Sequence, residues 1–177
     1  MSFLLGRIGK PLVYTELISR SSELIKLAQK NLTHHQRVGR PSHDLFIGDI
    51  LSLPVPSSQF NHAISIAVLH HLSTPARRVA GIQSMLSTLT PSGQLLLFVW
   101  ALEQASSRRG WDDGDNQDVL VPWVMKGEED RVYGRYYHLY RKGELEREIV
   151  AAGGRVLDSG YEKDNWWAIA QPLDKPK

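Results

Sequence analysis

The sequence predicts an α/β domain with a doubly wound, mostly parallel sheet, and three observations lead to that fold class. Continuous apolar runs at residues 63–69 and 95–100 have the composition of strands that are buried on both faces. Between them lies a segment with helical spacing of apolar residues, and such alternation is typical of parallel sheets. The last two apolar runs, 155–161 and 165–170, are joined by the polar link EKD, which predicts a terminal antiparallel hairpin.

The elements of the first half follow from short apolar runs and capping residues. Residues 12–18 are apolar enough for a strand, and the serines at 21–22 offer N-cap oxygens for a helix over 23–28. Residues 45–47 form another short strand, and a proline-rich link leads to the strand at 63–69.

The second half begins with a helix and contains a long polar segment. Proline tolerates the first helical position, so the Thr-Pro pair at 74–75 predicts a helix that runs to residue 89, followed by a TPSG turn at 90–93. Residues 101–134 are polar and irregular, and we expect them to form a lid loop on the substrate side. An amphipathic helix is predicted over 142–152, where two glycines end it.

Size and composition indicate one soluble domain. A chain of 177 residues with 42% apolar residues is sufficient for one core, and a charge of +2 permits contact with nucleic acid without requiring it. The absence of cysteine excludes a disulfide-stapled scaffold and thiolate zinc sites. The first apolar run, 3–5, is too short for a signal peptide. We therefore expect a cytoplasmic protein, with the nucleus as a second location.

Four sequence blocks carry a specific resemblance. They are ISIAVLHHLST at 64–74, FVWALEQ at 98–104, QDVLVPWV at 117–124 and RYYHLYRKGEL at 135–145. In this order they resemble the eukaryotic tRNA wobble-uridine carboxymethyl methyltransferases and the methyltransferase domain of the AlkB-homologue that acts on the same nucleoside. The resemblance implies a Rossmann-like class I fold and methyl transfer from S-adenosyl-L-methionine to the carboxylate of 5-carboxymethyluridine in the tRNA anticodon. It also implies a small zinc-binding activator subunit as partner.

The implied reaction needs orientation more than acid–base catalysis. A carboxylic acid that titrates near pH 4 is already an anion at neutral pH, so the protein has to align it rather than deprotonate it. Arginine can hold a carboxylate through two hydrogen bonds, which makes Arg108, Arg109 and Arg135 candidates. Asp118 is expected to orient an arginine or the nucleoside, with a solvated loop aspartate as the alternative, and His70 is expected to line the pocket.

The cofactor side departs from the family pattern. The family opens with a strand and a glycine-rich loop, whereas this chain has only LLGRIGKPL, in which Gly6 and Gly9 are candidates for a shortened loop. We therefore expect the first strand and its loop to be truncated or degenerate. Ser19 stands where the family has an aspartate, and Asp49 matches a position near the adenine ring. The remaining expected cofactor contacts are Ile50, Ala67 and Val68.

The RNA contacts implied by the resemblance are aromatic. Trp111, Trp123 and Tyr136, together with His138, are candidates for contact with unpaired anticodon bases, and packing of the lid on the sheet is the alternative. His70 and its neighbour lack a third ligand at usual spacing, so we expect no metal site. Arg77 and Arg78 are expected on a solvated helix face, and the edge strand at 45–47 is a candidate docking site for the activator.

Three functions stay open at the level of sequence. The first is an S-adenosylmethionine-dependent tRNA methyltransferase formed by a single domain that lacks its usual N-terminal segment. The second is a catalytically silent or truncated relative that acts as an RNA- or partner-interaction module. The third is a small-molecule methyltransferase, which the lid sequence disfavours.

Overall fold

The computed structural model describes residues 2–9, 12–19, 21–34, 43–104, 107, 110–125 and 131–173. In chain order its elements are β1 (Ser2–Gly9), β2 (Leu12–Ser19), α1 (Ser22–His34), β3 (His43–Ile47), β4 (Phe60–Ile66), a 3-10 turn (Leu69–His71), α2 (Pro75–Thr88), β5 (Leu89–Trp100), β6 (Asp118–Met125), β7 (Arg131–His138), α3 (Glu144–Ala151), β8 (Gly154–Glu162) and β9 (Asn165–Pro172). All the predicted strands and helices are present, with ends that differ from the predicted ones by up to six residues.

Seven strands of the described chain form one sheet in the order β3-β2-β1-β4-β5-β9-β8, and β6 and β7 form a separate two-stranded sheet. The α/β class and the terminal hairpin of β8 and β9 are confirmed. The sheet is mixed rather than mostly parallel. Only β2 with β3 and β4 with β5 are parallel pairs in the described sheet, whereas β1 is antiparallel to both of its neighbours.

The centre of the sheet is filled by β1, where a truncated or degenerate strand was expected. The start of β1 lies at the edge where β2 and β4 end, because Phe3 pairs with Ile18 on one side and with Ser65 on the other. Pairing on both sides satisfies the inner backbone groups of β2 and β4. A sequence separation of two residues between β1 and β2 permits only an antiparallel hairpin, since a parallel pair needs a long crossover.

The structure contradicts the shortened cofactor loop that was expected at Gly6 and Gly9. Gly6 lies inside β1, where it pairs with Thr15 and His62. Gly9 ends the strand at the opposite edge of the sheet from the carboxyl ends of β2 and β4, because the hairpin reverses the chain direction. The two glycines therefore do not follow a strand into the crevice where the family has its loop.

Three boundaries of the predicted elements also change. β4 ends at Ile66, because Ala67 has a positive φ of 58° that interrupts the extended backbone. Residues 90–93, expected to be a turn, belong to β5, which pairs irregularly with β4 at this point. The predicted lid at 101–134 is not irregular throughout, because β6 and the first half of β7 lie within it and pair as a hairpin. Their β-branched and aromatic residues favour strands despite the proline at 122.

Two helix starts follow the predicted capping. The Leu24 N–H donates to Ser21 Oγ at 3.3 Å before α1, and the Arg77 N–H donates to Thr74 Oγ1 at 3.3 Å at the start of α2. Among the described helices, none combines the length and the apolar character needed to span a membrane.

The main core lies between the sheet and the pair α2–α3, which pack on each other and on β5, β8 and β9. Its fully buried members include Ile82, Met85, Leu95, Leu97, Leu145 and Ile149. A smaller cluster packs the hairpin β6–β7 against the end of β5; its buried residues are Leu102, Val121, Tyr137 and Leu139. The hairpin therefore rests on a limited apolar contact.

Candidate active site at the carboxyl edge of the sheet

The segments that follow β3 and β4 bring four of the predicted cofactor contacts to the carboxyl edge of the sheet. In open α/β sheets, ligands bind in the crevice at this edge. Asp49 is half-buried, and its carboxylate accepts the Leu51 N–H at 3.0 Å. Ile50 and Val68 are core residues, 7% and 6% exposed, so their backbones rather than their side chains are available. Ala67 directly follows β4.

The end of β4 carries a strained residue and two unpaired polar atoms. Ala67 adopts the left-handed conformation noted above, and its N–H donates to the Phe98 carbonyl at 3.2 Å. In the described part of the chain, the buried atoms Ser65 Oγ and His70 Nε2 have no hydrogen-bond partner. Backbone strain and unpaired buried polar groups each cost about 1 to 3 kcal/mol, and strained residues cluster at active sites and ligand clamps. The end of β4 is therefore the best candidate for a binding site.

His70 is a neutral, enclosed histidine. Its side chain is fully buried, and its Nδ1 accepts the Trp100 N–H at 3.1 Å, which leaves the ring proton on Nε2. Burial, with smaller contributions from His71 and His138, lowers the pKa of His70 to about 3. The ring centroids of Trp100 and Tyr137 lie 5.5 and 5.0 Å away. At neutral pH the imidazole can donate a hydrogen bond from Nε2 but carries no charge.

The hairpin β6–β7 covers this edge with one of its two faces. Side chains alternate between the faces along each strand, and directly paired residues share a face. Tyr137 is buried, and its ring stacks on Trp100 with 4.3 Å between centroids and 16° between planes. We call this the inner face. Asp118 pairs with His138, and both lie on the opposite, outer face.

Asp118 holds two partners on the outer face. Its carboxylate accepts hydrogen bonds from the Tyr136 hydroxyl and from His138 Nδ1–H, the latter at 2.9 Å. Partial burial would raise the pKa of Asp118, but these two donors lower it on balance. Burial and the Asp118 carboxylate raise the pKa of Tyr136 to about 12. Asp118 was expected to orient an arginine or the nucleoside; in the structure it orients His138 and Tyr136.

His138 connects Asp118 with Glu144, the first residue of α3. Its Nε2–H donates to Glu144 Oε1 at 2.7 Å, so both ring nitrogens are bonded to carboxylates. Burial would lower the pKa of His138, but the bonds to Glu144 and Asp118 raise it. Glu144 also accepts from Gln117 Nε2 at 2.7 Å and from the Arg141 N–H at 3.1 Å. Burial would raise the pKa of Glu144, but these donors, His138 first, lower it to about 2.

Arg78 is buried beneath the same network, which corrects the expectation that it lies with Arg77 on a solvated helix face. Its side chain is 2% exposed. Nε donates to Glu148 Oε1 at 2.7 Å, and Nη2 donates to Glu144 Oε1 at 3.3 Å. Helical spacing explains the burial, because Arg78 stands one turn before a fully buried isoleucine at position 82.

Arg135 and Trp123 lie further along the inner face of the hairpin. The Arg135 guanidinium carbon is 4.3 Å from the centroid of the Trp123 ring. Trp123 is 41% exposed and Tyr133, its pairing partner, is 45% exposed. Burial mainly, and Arg135 to a smaller extent, lowers the pKa of His71. The guanidinium is therefore close enough to the sheet edge to affect a group beside the end of β4.

Of the remaining predicted site residues, two lie within the described chain and two lie outside it. Trp111 is half-buried and lies 6.4 Å from Trp100 between ring centroids, so it packs inside the protein. Ser19 ends β2 at the carboxyl edge. Arg108 and Arg109 lie outside the described residues. Within the described ranges, no group of three or more His, Asp or Glu side chains is placed to hold a metal ion.

One sequence pattern indicates part of the polar network. Glu144 and Glu148 are four residues apart on a predicted helix, so they share a face that needs a cation. Arg78, 66 and 70 positions earlier, is that cation. No local pattern joins segments so distant in sequence, and this pairing is visible only in the folded chain.

Comparison with known proteins identifies relatives over most of the chain. A profile of the family described as "Methyltransferase domain" matches residues 6–97. A Schizosaccharomyces pombe protein named tRNA (carboxymethyluridine(34)-5-O)-methyltransferase is 44% identical over 144 residues, which cover 72% of this chain and 63% of the relative. A Saccharomyces cerevisiae protein of the same name is 36% identical over 192 residues, with coverages of 74% and 69%. The chain thus spans about two thirds of these relatives, at 63% and 69% of their lengths.

Solved structures share the fold. An S-adenosylmethionine-dependent methyltransferase from Clostridium acetobutylicum matches with a TM-score of 0.71 at 12% identity, covering 89% of this chain and 74% of that one. A similar enzyme from Methanosarcina mazei matches with a TM-score of 0.69 at 17% identity, covering 89% and 81%. The fold is therefore that of the class I S-adenosylmethionine-dependent methyltransferases.

Replacing Arg78 by methionine should strongly destabilise the protein. The substitution Arg78→Met leaves Glu148 buried without its cation and removes one of the donors to the partly buried Glu144, and loss of one partner of a buried pair costs about 3 to 5 kcal/mol. The free energy of unfolding, measured by urea denaturation, should fall by that amount. Arg77→Met is the matched control, because Arg77 is exposed on the same helix and should change stability by less than about 0.5 kcal/mol. Equal stability of the two variants would contradict the assigned pairing.

The stabilising effect of His138 should depend on pH. A raised pKa means that its contribution is fully present below the ordinary pKa of 6.5 and is lost as the pH rises through the folded value. Glu144 contributes above its ordinary pKa of 4.5, and this contribution is lost as the pH falls towards about 2. The stability difference between wild type and His138→Gln should therefore be largest between pH 4.5 and 6.5.

Urea denaturation at a series of pH values measures this difference directly. His62→Gln is the control, because His62 is exposed on β4 and takes no part in the network. The H62Q variant should follow the wild type at every pH. A His138→Gln loss that is the same at pH 5.5 and at alkaline pH would show that His138 is not a protonated bridge.

Proposed function

The chain belongs to the family of tRNA (carboxymethyluridine(34)-5-O)-methyltransferases, and from that membership we propose that it transfers a methyl group from S-adenosylmethionine to the carboxylate of 5-carboxymethyluridine at the tRNA wobble position. The observation that supports this reaction is the inner face of the hairpin β6–β7, which places Tyr137 against the histidines that follow β4 and carries Arg135 and exposed aromatic rings further along. An anionic nucleoside substrate requires a cation and a stacking surface beside the carboxyl edge of the sheet, where the cofactor would bind.

The segments after β3 and β4 fit the adenosine part of S-adenosylmethionine. Asp49 provides a half-buried carboxylate that can accept from an amino group or a ribose hydroxyl, and the backbones of Ile50 and Val68 run through apolar surroundings. Ser65 Oγ, buried and without a partner in the described chain, is a donor at the same edge. Ser19 at the end of β2 is a further contact in this proposal. When bound, the cofactor supplies an electrophilic methyl group on a sulfonium sulfur.

The chain's own residues would bind and orient the acceptor. Arg135 can hold the substrate carboxylate as an ion pair, with Arg108 and Arg109 as further predicted partners. His70 can donate from Nε2 without adding charge, because its pKa is about 3. The rings of Trp100 and Tyr137 exclude water from this side, which strengthens the attraction between a guanidinium and a carboxylate. No general base is required, because the acceptor is already ionised.

Trp123 and Tyr133 supply the surface for unpaired anticodon bases. Each base that stacks on an aromatic side chain contributes about 1 to 3 kcal/mol of binding energy. Tyr136 and His138, also expected to contact RNA, instead bind Asp118 on the outer face. Their part in the proposed function is to hold the hairpin in place.

The activator subunit would dock on β3. In the described sheet, β3 is the outermost strand on one side. One of its edges pairs with β2, and the opposite edge faces away from the sheet. A free strand edge can accept a further strand from a partner. A small zinc-binding methyltransferase activator is the partner implied by the family resemblance.

We propose the cytoplasm as the location of the reaction, with the nucleus as a second location.

Methyl transfer to tRNA is the direct test of the proposal. The full chain, co-expressed with the activator, is incubated with labelled S-adenosylmethionine and tRNA that carries 5-carboxymethyluridine. The label should appear at the wobble uridine and be released by mild base, because the product is a methyl ester. The same tRNA without the carboxymethyl group should remain unlabelled. A folded complex that neither transfers methyl nor binds S-adenosylhomocysteine would contradict the proposal and favour the silent interaction module.

Removing the exposed indole of the hairpin should weaken tRNA binding. Trp123→Ala deletes one stacking surface, so the free energy of tRNA binding should become less favourable by about 1 to 3 kcal/mol and the Kd should rise accordingly. Cofactor binding should change little. Val124→Ala is the matched control, since Val124 is the next residue along β6, is 48% exposed and lies on the outer face. Equal Kd values for the two variants, measured by fluorescence anisotropy, would remove Trp123 from the RNA interface.

A further inference from the structure

A continuous chain of polar contacts joins the hairpin β6–β7 to the two helices beneath it. It runs from the Tyr136 hydroxyl through Asp118 and His138 to Glu144, where Arg78 of α2 also binds. We propose that Glu144 is a positioning residue for methyl transfer, because it orients His138 and through it the hairpin over the end of β4. This role rests on the proposed function, which supplies the reaction that Glu144 would serve. The contacts of Glu144 come from the structure alone.

Glu144 is held in one orientation by four donors. They are His138 Nε2 and Gln117 Nε2 at 2.7 Å each, the Arg141 N–H at 3.1 Å and Arg78 Nη2 at 3.3 Å. The residue also begins α3, where the helix dipole favours a negative charge. A carboxylate with this set of donors has little freedom to rotate, so the imidazole that it binds is fixed as well.

His138 can bind both carboxylates only as an imidazolium, because neutral imidazole has a single N–H donor. The charged and titratable groups that face it are Asp118 from β6, Glu144 from α3, Arg78 from α2 and His70 from the 3-10 turn. The Tyr140 ring lies edge-on with 5.1 Å between centroids. The two carboxylates outweigh burial and Arg78, so the pKa of His138 is raised. Deprotonation would break one of the two bonds.

Strand alternation transmits this restraint to the reactive side. His138 and Tyr136 point to the outer face, and Tyr137 and Arg135 point to the inner face of the same strand. Tyr137 lies 5.0 and 4.3 Å from the rings of His70 and His71. Fixing the outer side chains therefore fixes where the inner ones meet the sheet edge. A misplacement of about 1 Å can reduce a rate about 100-fold.

The substitution Glu144→Gln tests the proposal, because glutamine keeps the size and one acceptor oxygen but removes the charge. We expect kcat for methyl transfer to fall by about 10- to 100-fold with KM for S-adenosylmethionine unchanged. The alkaline limb of the pH–rate profile should move to lower pH, because His138 loses the carboxylate that favours its proton. Glu146→Gln is the matched control in the same helical turn, and its rate and profile should equal those of the wild type.

NMR titration of the His138 ring in the full chain gives a readout that does not depend on activity. In the wild type, His138 should titrate above 6.5, and in E144Q it should titrate at lower pH than in the wild type. A wild-type value at or below 6.5 would overturn the proposal even if E144Q does not fold. Equal rates and equal alkaline limbs for E144Q and E146Q would overturn it as well.

The two readouts separate failure of this proposal from failure of the proposed function. If the wild-type complex transfers no methyl group, the reaction assigned to the protein is wrong, and with it the role of Glu144 in that reaction. The titration then still decides whether Glu144 orients His138. If methyl transfer occurs and the titration is insensitive to E144Q, the proposed function stands and the positioning role falls.

Discussion

A histidine that bonds to two carboxylates is the contact that ties the hairpin β6–β7 to the helices. Charges that leave water have to be paired, and here their signs alternate from Asp118 through His138, Glu144 and Arg78 to Glu148. These residues come from β6, β7, α3 and α2, which are distant in sequence. The apolar cluster under the hairpin is small. The charge network therefore adds directional contacts that an apolar contact of this size cannot provide.

Because side chains alternate along a strand, one face of the hairpin can be anchored to the helices while the other faces the sheet edge. The outer face bears the anchoring charges, whereas the inner face bears Tyr137, Arg135 and Trp123. At the sheet edge the inner face meets His70, which burial keeps neutral. An uncharged, aromatic environment leaves Arg135 as the cation nearest to the end of β4 on this face of the described hairpin. Electrostatic attraction to an anionic substrate is stronger there than in water.

The sequence allowed the strongly periodic parts of the fold to be predicted, and missed the parts that depend on long-range pairing. The strands at 95–100 and 165–170 and the helix from Pro75 were predicted because apolar runs and capping residues are local signals. The hairpin β6–β7 was missed because a proline and a polar context obscured its alternation. Arg78 was misplaced because its partners follow it by 66 and 70 residues. Asp118 and His138 were both predicted as site residues, but their hydrogen bond to each other was not predicted.

At the carboxyl edge of the sheet, β1 runs in the opposite direction to its neighbours β2 and β4. A strand that ends at this edge can continue into a loop and a helix, whose N-terminal amides bind anions. β1 instead starts at this edge, beside Ser65 of β4, and its hairpin to β2 turns at the far side. No helix follows β1 before β2 in the chain order, so that source of amide donors is missing between these strands. Among the described residues, most of the cofactor contacts in the proposed reaction lie on the segments after β3 and β4. Asp49 and Ala67 lie on these segments, and β7 of the hairpin contacts the 3-10 turn that follows β4, so the hairpin packs beside the second of the two segments.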